Sequence, residues 1–297
     1  MILMTAGTVL AFVMFNRLMP ARAAHIGMAL ERKRSRLVRK HASLPYLEGG
    51  SGEEVLVLVH GFGGDKDNFT RIAAWLTPHY RVIIPDLPGF GEARRDTDAK
   101  HDMATQVENL RSFLAELGVQ RCHLGGNSMG GFIASEYAAR HPQQVASLWL
   151  LDPAGTDAAL DLPVFRDYQA SGQMPLLVRE PKDMERLLDH CMSKRPFFPY
   201  CVKHQLARRA VADYPLHVQI MKELVGSPRL AGPIEIPALI VWGTEDRILS
   251  PQGAAAMQGL MPRSEVLMME GIGHLPMLEA PRRTARDFLA FQRRLSA

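Results

Sequence analysis

Residues Gly126-Asn127-Ser128-Met129-Gly130 read Gly-x-Ser-x-Gly. A serine hydroxyl is a poor nucleophile until a base takes its proton. It must also stand where substrate and base can both reach it. A sharp turn from strand to helix does this, with glycines on either side letting the two backbones approach closely. Both flanks are present. Residues 121–125 read as a short buried strand, and 131–140 have helical spacing at Phe132, Ile133 and Tyr137 before His141-Pro142. In a chain with 24 glycines the five-residue pattern alone is weak. Its context gives it weight.

A base and an acid follow later in the chain. The apolar run 238–242 leads into Gly243-Thr244-Glu245-Asp246-Arg247, and 266–269 leads into Glu270-Gly271-Ile272-Gly273-His274. In an open parallel sheet, active-site residues gather beyond the carboxyl ends of the strands. His274 is the expected base, and Asp246 the group that holds its tautomer and stabilises the imidazolium. A tetrahedral oxyanion needs fixed donors, and the backbone N–H groups of Met129 and Phe62 are placed for that. Glu245 and Asp152 compete with Asp246 for the acid's role. Asp86 reads as the brace of its Pro-Gly turn, and His60, His79, His101, His123, His141 and His217 as ordinary core or surface histidines. Asn127 is given no role.

These residues need a frame. Val55–Val59 is a continuous β-branched and leucine run, as a strand buried on both faces should be. It ends in His60-Gly61-Phe62-Gly63-Gly64. A helix is expected at 69–76, a strand at 81–85, a helix at 103–117, the strand and helix around Ser128, and a strand at 145–151. Strands alternating with helices imply a parallel sheet covered on both faces. The alternation stops at 156–232, where helical fragments, prolines and the cluster Phe197, Phe198, Tyr200 replace any buried β-branched run. So long an insertion is no plain loop, and a helical cap over the active site is expected there. The sheet resumes at 237–242 and 265–269, and a helix at 281–294 closes the chain. The expected division is 1–19, 20–44, 45–155, 156–232 and 233–297.

The N-terminus has a different character. Residues 1–19 are nearly all apolar; as a helix they would span about 28 Å, close to the roughly 30 Å hydrocarbon layer of a bilayer. A transmembrane anchor is expected, uncleaved because no positively charged segment precedes it, although Ala21-Arg22-Ala23 has the form of a cleavage site. Residues 20–44 follow as a basic juxtamembrane helix suited to anionic lipid. Gly7 and Ala11, four apart, permit close pairing of two such helices in a homodimer. The first fifty residues carry eight Lys/Arg against two acids, more than the whole chain's net +4. The basic character therefore belongs to this arm, which argues against a nucleic-acid-binding body. Three cysteines make neither a disulfide framework nor a spaced metal cluster; Cys191 and Cys201 could pair in an oxidising compartment but read as unpaired thiols.

From residue 45 onward the chain resembles the α/β-hydrolases. The likeness is carried by HGFGG (60–64), DLPGFG (86–91), GNSMGG (126–131), DPAG (152–155), GTEDRI (243–248) and GIGHLPMLE (271–279), and by the chain order Ser, Asp, His. Within that superfamily the pattern is similar to membrane-anchored bacterial phospholipases A and to mammalian monoacylglycerol lipases with an N-terminal membrane helix. The resemblance implies a mostly parallel sheet with helices on both faces. It also implies cleavage of lipid carboxylesters with release of fatty acid, no cofactor or metal, and a body on the periplasmic side of a bacterial inner membrane. The positive-inside rule alone would place that body in the cytoplasm. Two other readings stand beside it: a soluble carbon–carbon bond hydrolase with the same three residues, and a membrane-associated binding protein without catalysis.

Overall fold

The computed structural model describes residues 13–296. Eight strands form one sheet: β1 Leu37–His41, β2 Pro45–Gly49, β3 Val55–Val59, β4 Arg81–Pro85, β5 Cys122–Asn127, β6 Val145–Leu151, β7 Ala238–Gly243 and β8 Ser264–Met269, in spatial order β1-β2-β4-β3-β5-β6-β7-β8. From β4 to β8 all neighbours are parallel, while β2 pairs antiparallel with both β1 and β4.

The apolar runs are continuous because both faces are covered. On β3, Val57 and Val59 face one core with Met103, Leu110, Phe132 and Tyr137; Leu56 and Leu58 face the other with Ile72, Leu76, Phe288 and Phe291. The helices Met103–Glu116 and Met129–Arg140 cover the first face, and Thr70–Leu76 and Pro281–Leu295 the second. The Phe288 ring stacks on Trp149 at 4.3 Å between centroids, fixing the last helix to β6.

Between β6 and β7 the insertion is helical. Asp157–Leu160, Pro163–Ser171, Asp183–Cys191, Tyr200–Ala212 and Tyr214–Val225 lie there. Charged pairs join it to the body: Arg209 Nη1 to Asp65 Oδ2 at 2.6 Å, and Arg95 to both carboxylate oxygens of Asp213.

The basic segment departs from the single helix expected over 20–44. The helix is Pro20–Arg34, and β1 and β2 follow. It stops where the Ser35 hydroxyl donates to the Thr70 carbonyl (2.5 Å) and Arg36 takes a left-handed φ of +56°. Leu37 then turns into the core, and β1 is exposed from Val38 onward. Arg39 and Lys40, which suggested a charged helix, belong to an edge strand, where cations discourage further pairing. Glu48 on β2 accepts from Lys40 on β1 and from Arg81 on β4, each at 2.6 Å.

Residues 1–12 of the expected transmembrane anchor, with Gly7 and Ala11, lie outside the described residues. Among the described residues no helix is long and apolar enough to cross a membrane. Residues 13–18 are helical and lead into Pro20–Arg34. This arm lies on the insertion: Asn16 Oδ1 accepts from the Cys201 N–H at 2.8 Å, and the Arg17 guanidinium sits over the Tyr200 ring. At its other end Arg32 Nε donates to Asp67 Oδ1 at 2.7 Å. Cys122, Cys191 and Cys201 are buried thiols.

Candidate active site

Ser128 stands between β5 and the helix Met129–Arg140 with φ +55° and ψ −117°. A non-glycine residue holds positive φ only where its surroundings over-determine it. Here its N–H donates to the Leu151 carbonyl of β6 at 3.0 Å. The flanking glycines allow no larger residue. A Cβ on Gly126 would lie 2.2 Å from the Gly130 carbonyl oxygen, and one on Gly130 would lie 2.1 Å from that of Val59.

The loop after β3 comes against the serine: a Cβ on Gly61 would be 3.2 Å from Ser128 Cβ. Phe62 follows, its ring edge-on to Phe90. Phe62, Ser128 and Met129 line one cavity whose other walls are apolar, among them Phe132, Leu160 and Phe165, except at Arg229. Met129 opens its helix, and the first N–H groups of a helix have no partner within it.

His274 and Asp246 lie beyond β8 and β7, and His274 Nδ1 is 2.7 Å from Asp246 Oδ2. Both side chains are buried. The other Asp246 oxygen, Oδ1, accepts from the N–H groups of Ile248 (2.8 Å) and Leu249 (3.0 Å). Three donors thus surround this one carboxylate. The His274 N–H donates to the Cys191 carbonyl at 2.8 Å, tying the histidine loop to the insertion.

Of the two competing acids, Glu245 is exposed. Asp152 is buried, but its Oδ1 accepts from the Gly243 N–H at 2.8 Å and the histidine's short contact goes to Asp246. Burial, and then the neighbouring Asp246, hold the Asp152 carboxyl well above the usual carboxylate range. Asp86 braces its turn as expected: it accepts from the Lys66 N–H and ammonium and from the Glu92 N–H. His60 Nε2 accepts from the Leu87 N–H; burial pulls its pKa down, which suits a neutral structural histidine.

Two residues outside the sequence-based set support the site. Asn127 Nδ2 donates to the carbonyls of Leu151 and His274, both at 3.0 Å. Glu279 accepts from the Gly273 N–H at 3.0 Å and, through its other oxygen, from the N–H groups of Ser193 and Lys194. Asn127 had a visible signal in its place beside Ser128. Glu279 had only its place in a motif.

Comparison with known proteins bears on the fold and the class of enzyme. The family model of the alpha/beta hydrolase fold matches residues 54–281. Lipase 1 of Psychrobacter immobilis is 38% identical over 259 residues, 85% of this chain and 81% of its own. Monoacylglycerol lipase ABHD6 of Bos taurus is 28% identical over 252 residues, covering 79% of this chain and 75% of its own. The crystal structure of a membrane phospholipase A, a bacterial virulence factor, superposes with a TM-score of 0.88 at 41% identity, covering 96% of this chain and 94% of that one. The chain therefore belongs to the α/β-hydrolase fold family, as a hydrolase of the lipase type.

Proposed function

We propose that this protein is a membrane-associated serine hydrolase that cleaves lipid carboxylesters (phospholipids, lysophospholipids or monoacylglycerols) through Ser128, His274 and Asp246. The observation that carries the reading is the 2.7 Å contact between His274 Nδ1 and Asp246, on a loop held by Asn127, the residue before a positive-φ Ser128. His274 takes the Ser128 proton as Oγ attacks the ester carbonyl. The N–H groups of Phe62 and Met129 receive the developing oxyanion. His274 returns the proton to the departing alcohol, leaving an acyl-enzyme. Water, activated by the same histidine, releases the fatty acid.

The substrate class is supported by the cavity and by the arm. Phe132, Leu160, Phe165 and Leu224 beside Ser128 suit an acyl chain. Met14, Leu18, Met19, Ile26 and Leu30 are exposed on the arm, next to Arg17, Arg22 and Arg34. An apolar face with flanking cations suits the interface of an anionic bilayer, and it continues the apolar residues 1–12. In this reading 1–19 anchor the protein, residues 156–232 form a lid, and the body faces the periplasm from the inner membrane. A second copy pairs through the N-terminal segment. The similarity to a membrane phospholipase A supports the association with a membrane.

The test is a profile of phospholipids, lysophospholipids, monoacylglycerols and short-chain esters with purified full-length protein. Fatty-acid release that disappears in Ser128→Ala is expected. Indifference to every ester, with turnover of a vinylogous diketone, would replace this reading with a carbon–carbon hydrolase. No labelling of Ser128 by a fluorophosphonate would leave a binding protein.

A further inference from the structure

Two carboxyl groups, not one, lie behind His274. Oxygens of Asp152 and Asp246 and a ring nitrogen of His274 fall within 4.8 Å of one another, and all three residues are buried. Their surroundings differ. Asp246 receives donors on both oxygens: Ile248 and Leu249 N–H on Oδ1, and His274 on Oδ2. Asp152 has the Gly243 N–H on Oδ1, while its Oδ2 is buried with no hydrogen-bond donor among the described residues.

The charges nearby do not favour a second anion. Besides Asp246, the group acting on Asp152 is Glu279, also an acid. The Cys191 thiol on the insertion is kept neutral by burial and by Asp246. Arg247 is exposed and reaches toward the Asp189 carbonyl. An ionised Oδ2 would therefore be desolvated, without a donor, beside a like charge. Each of these conditions favours the protonated acid. The backbone holds Asp152 there at φ +46°, in a region that non-glycine residues occupy only when neighbours fix them.

We propose that Asp152 keeps its proton on Oδ2 and donates it in a hydrogen bond to Asp246, so that the pair carries a single negative charge. Asp152 is then a positioning residue. It fixes the Asp246 carboxylate and drains part of its charge, which weakens the pull of Asp246 on the imidazolium and lets His274 act as a base at lower pH. Should Asp246 lose its charge, Asp152 is freed to ionise and take its place. The inference rests on Ser128, His274 and Asp246 acting as proposed above.

The sign of a pH shift tests it. The measurement is the acid limb of kcat/KM for a soluble short-chain ester. Asp152→Asn keeps a neutral donor toward Asp246, so turnover falls several-fold while the limb stays within about 0.3 unit of wild type. Asp152→Leu removes the donor, and the limb rises by about half a unit or more. If Asp152 is ionised instead, both substitutions delete an anion beside the imidazolium and the limb falls in both, which overturns the proposal.

Infrared spectra give a readout that does not depend on the folding of these variants. Wild type at neutral pH should show a protonated-carboxyl band that moves in deuterium oxide and vanishes in Asp246→Asn. A spectrum without that band overturns the proposal. Ester hydrolysis that is absent from wild type, or that survives Ser128→Ala, defeats the triad reading. Ser128-dependent hydrolysis with a falling acid limb defeats this inference alone.

Discussion

The side-chain amide of Asn127 donates to the backbone carbonyl of His274 across 3.0 Å, so the residue before Ser128 holds the loop that carries His274. The same amide reaches the Leu151 carbonyl on β6. One side chain thereby fixes the spacing between the serine and histidine positions. Asn127→Ala is expected to reduce kcat by about 10- to 100-fold with little change in KM, since misplacement of a reacting group by about 1 Å costs on that order. Steady-state kinetics beside a thermal melt will check it. An equal loss in kcat and in folded fraction would assign Asn127 to stability alone.

Gly130 admits no side chain, because a Cβ there would sit 2.1 Å from the Val59 carbonyl oxygen. Backbone cannot yield as a flexible side chain can. Gly130→Ala should destabilise by about 1–3 kcal/mol or more and displace Ser128 relative to Phe62. Urea unfolding measures the first effect, and the rate of fluorophosphonate labelling the second.

Phe288 stacks on Trp149 with 13° between the ring planes, fully buried. Phe288→Ala should cost about 3–5 kcal/mol. Labelling of Ser128 at low temperature should persist, because the contact lies on the opposite face of the sheet from the cavity beside Ser128.

Glu48 makes part of the stability acid-sensitive. Burial would raise its carboxyl, but hydrogen bonds from Lys40 and Arg81 outweigh that and hold it below its ordinary value. A depressed folded-state pKa gives stability that is present above the unfolded value, about 4.3 for Glu, and is lost as pH falls through the folded value. Between about pH 4.5 and pH 3 the wild type should lose stability more steeply than Glu48→Gln. Denaturant midpoints across that window decide the matter; parallel curves would mean that the three-strand bridge contributes nothing.

Deleting residues 1–19 should release the protein from vesicles of anionic lipid and leave it able to hydrolyse a soluble short-chain ester. Its melting temperature should fall, because the Cys201 N–H loses Asn16 and Tyr200 loses Arg17. Flotation with vesicles and an ester assay together test this. Undiminished vesicle binding would move the membrane contact elsewhere on the molecule.

Where one periodicity governed a segment, the sequence was enough to read the structure. The runs of β3, β4 and β6 are apolar on both faces because both faces are covered, and such a run in water has no other stable place. The glycine-flanked turn at Ser128 was legible because neither Gly126 nor Gly130 could be anything larger. The segment 37–49 was not legible. Its cations answer partners distant in sequence, such as Arg39 with Glu92, and no local pattern encodes those. Asn127 was passed over for the same reason: its partner is 147 residues away. For Asp152 and Asp246, sequence offered two acids at strand ends, and only the placement of the donors tells them apart.

The helix Pro20–Arg34 and the six residues described before its bend behave as a strut. One end is pinned to the insertion at Cys201 and Tyr200, and the other to the body at Asp67. The helix Tyr200–Ala212 that receives the first pin ends with Arg209 gripping Asp65, just past the loop that carries Phe62. A load applied at residues 13–18 therefore travels along two rods to the rim of the cavity. The insertion also meets the loop after β8, where the His274 N–H donates to the Cys191 carbonyl and Glu279 accepts from the Ser193 and Lys194 N–H groups. The mouth of the cavity and the placement of His274 thus belong to one connected frame, and a tug on the arm reaches both.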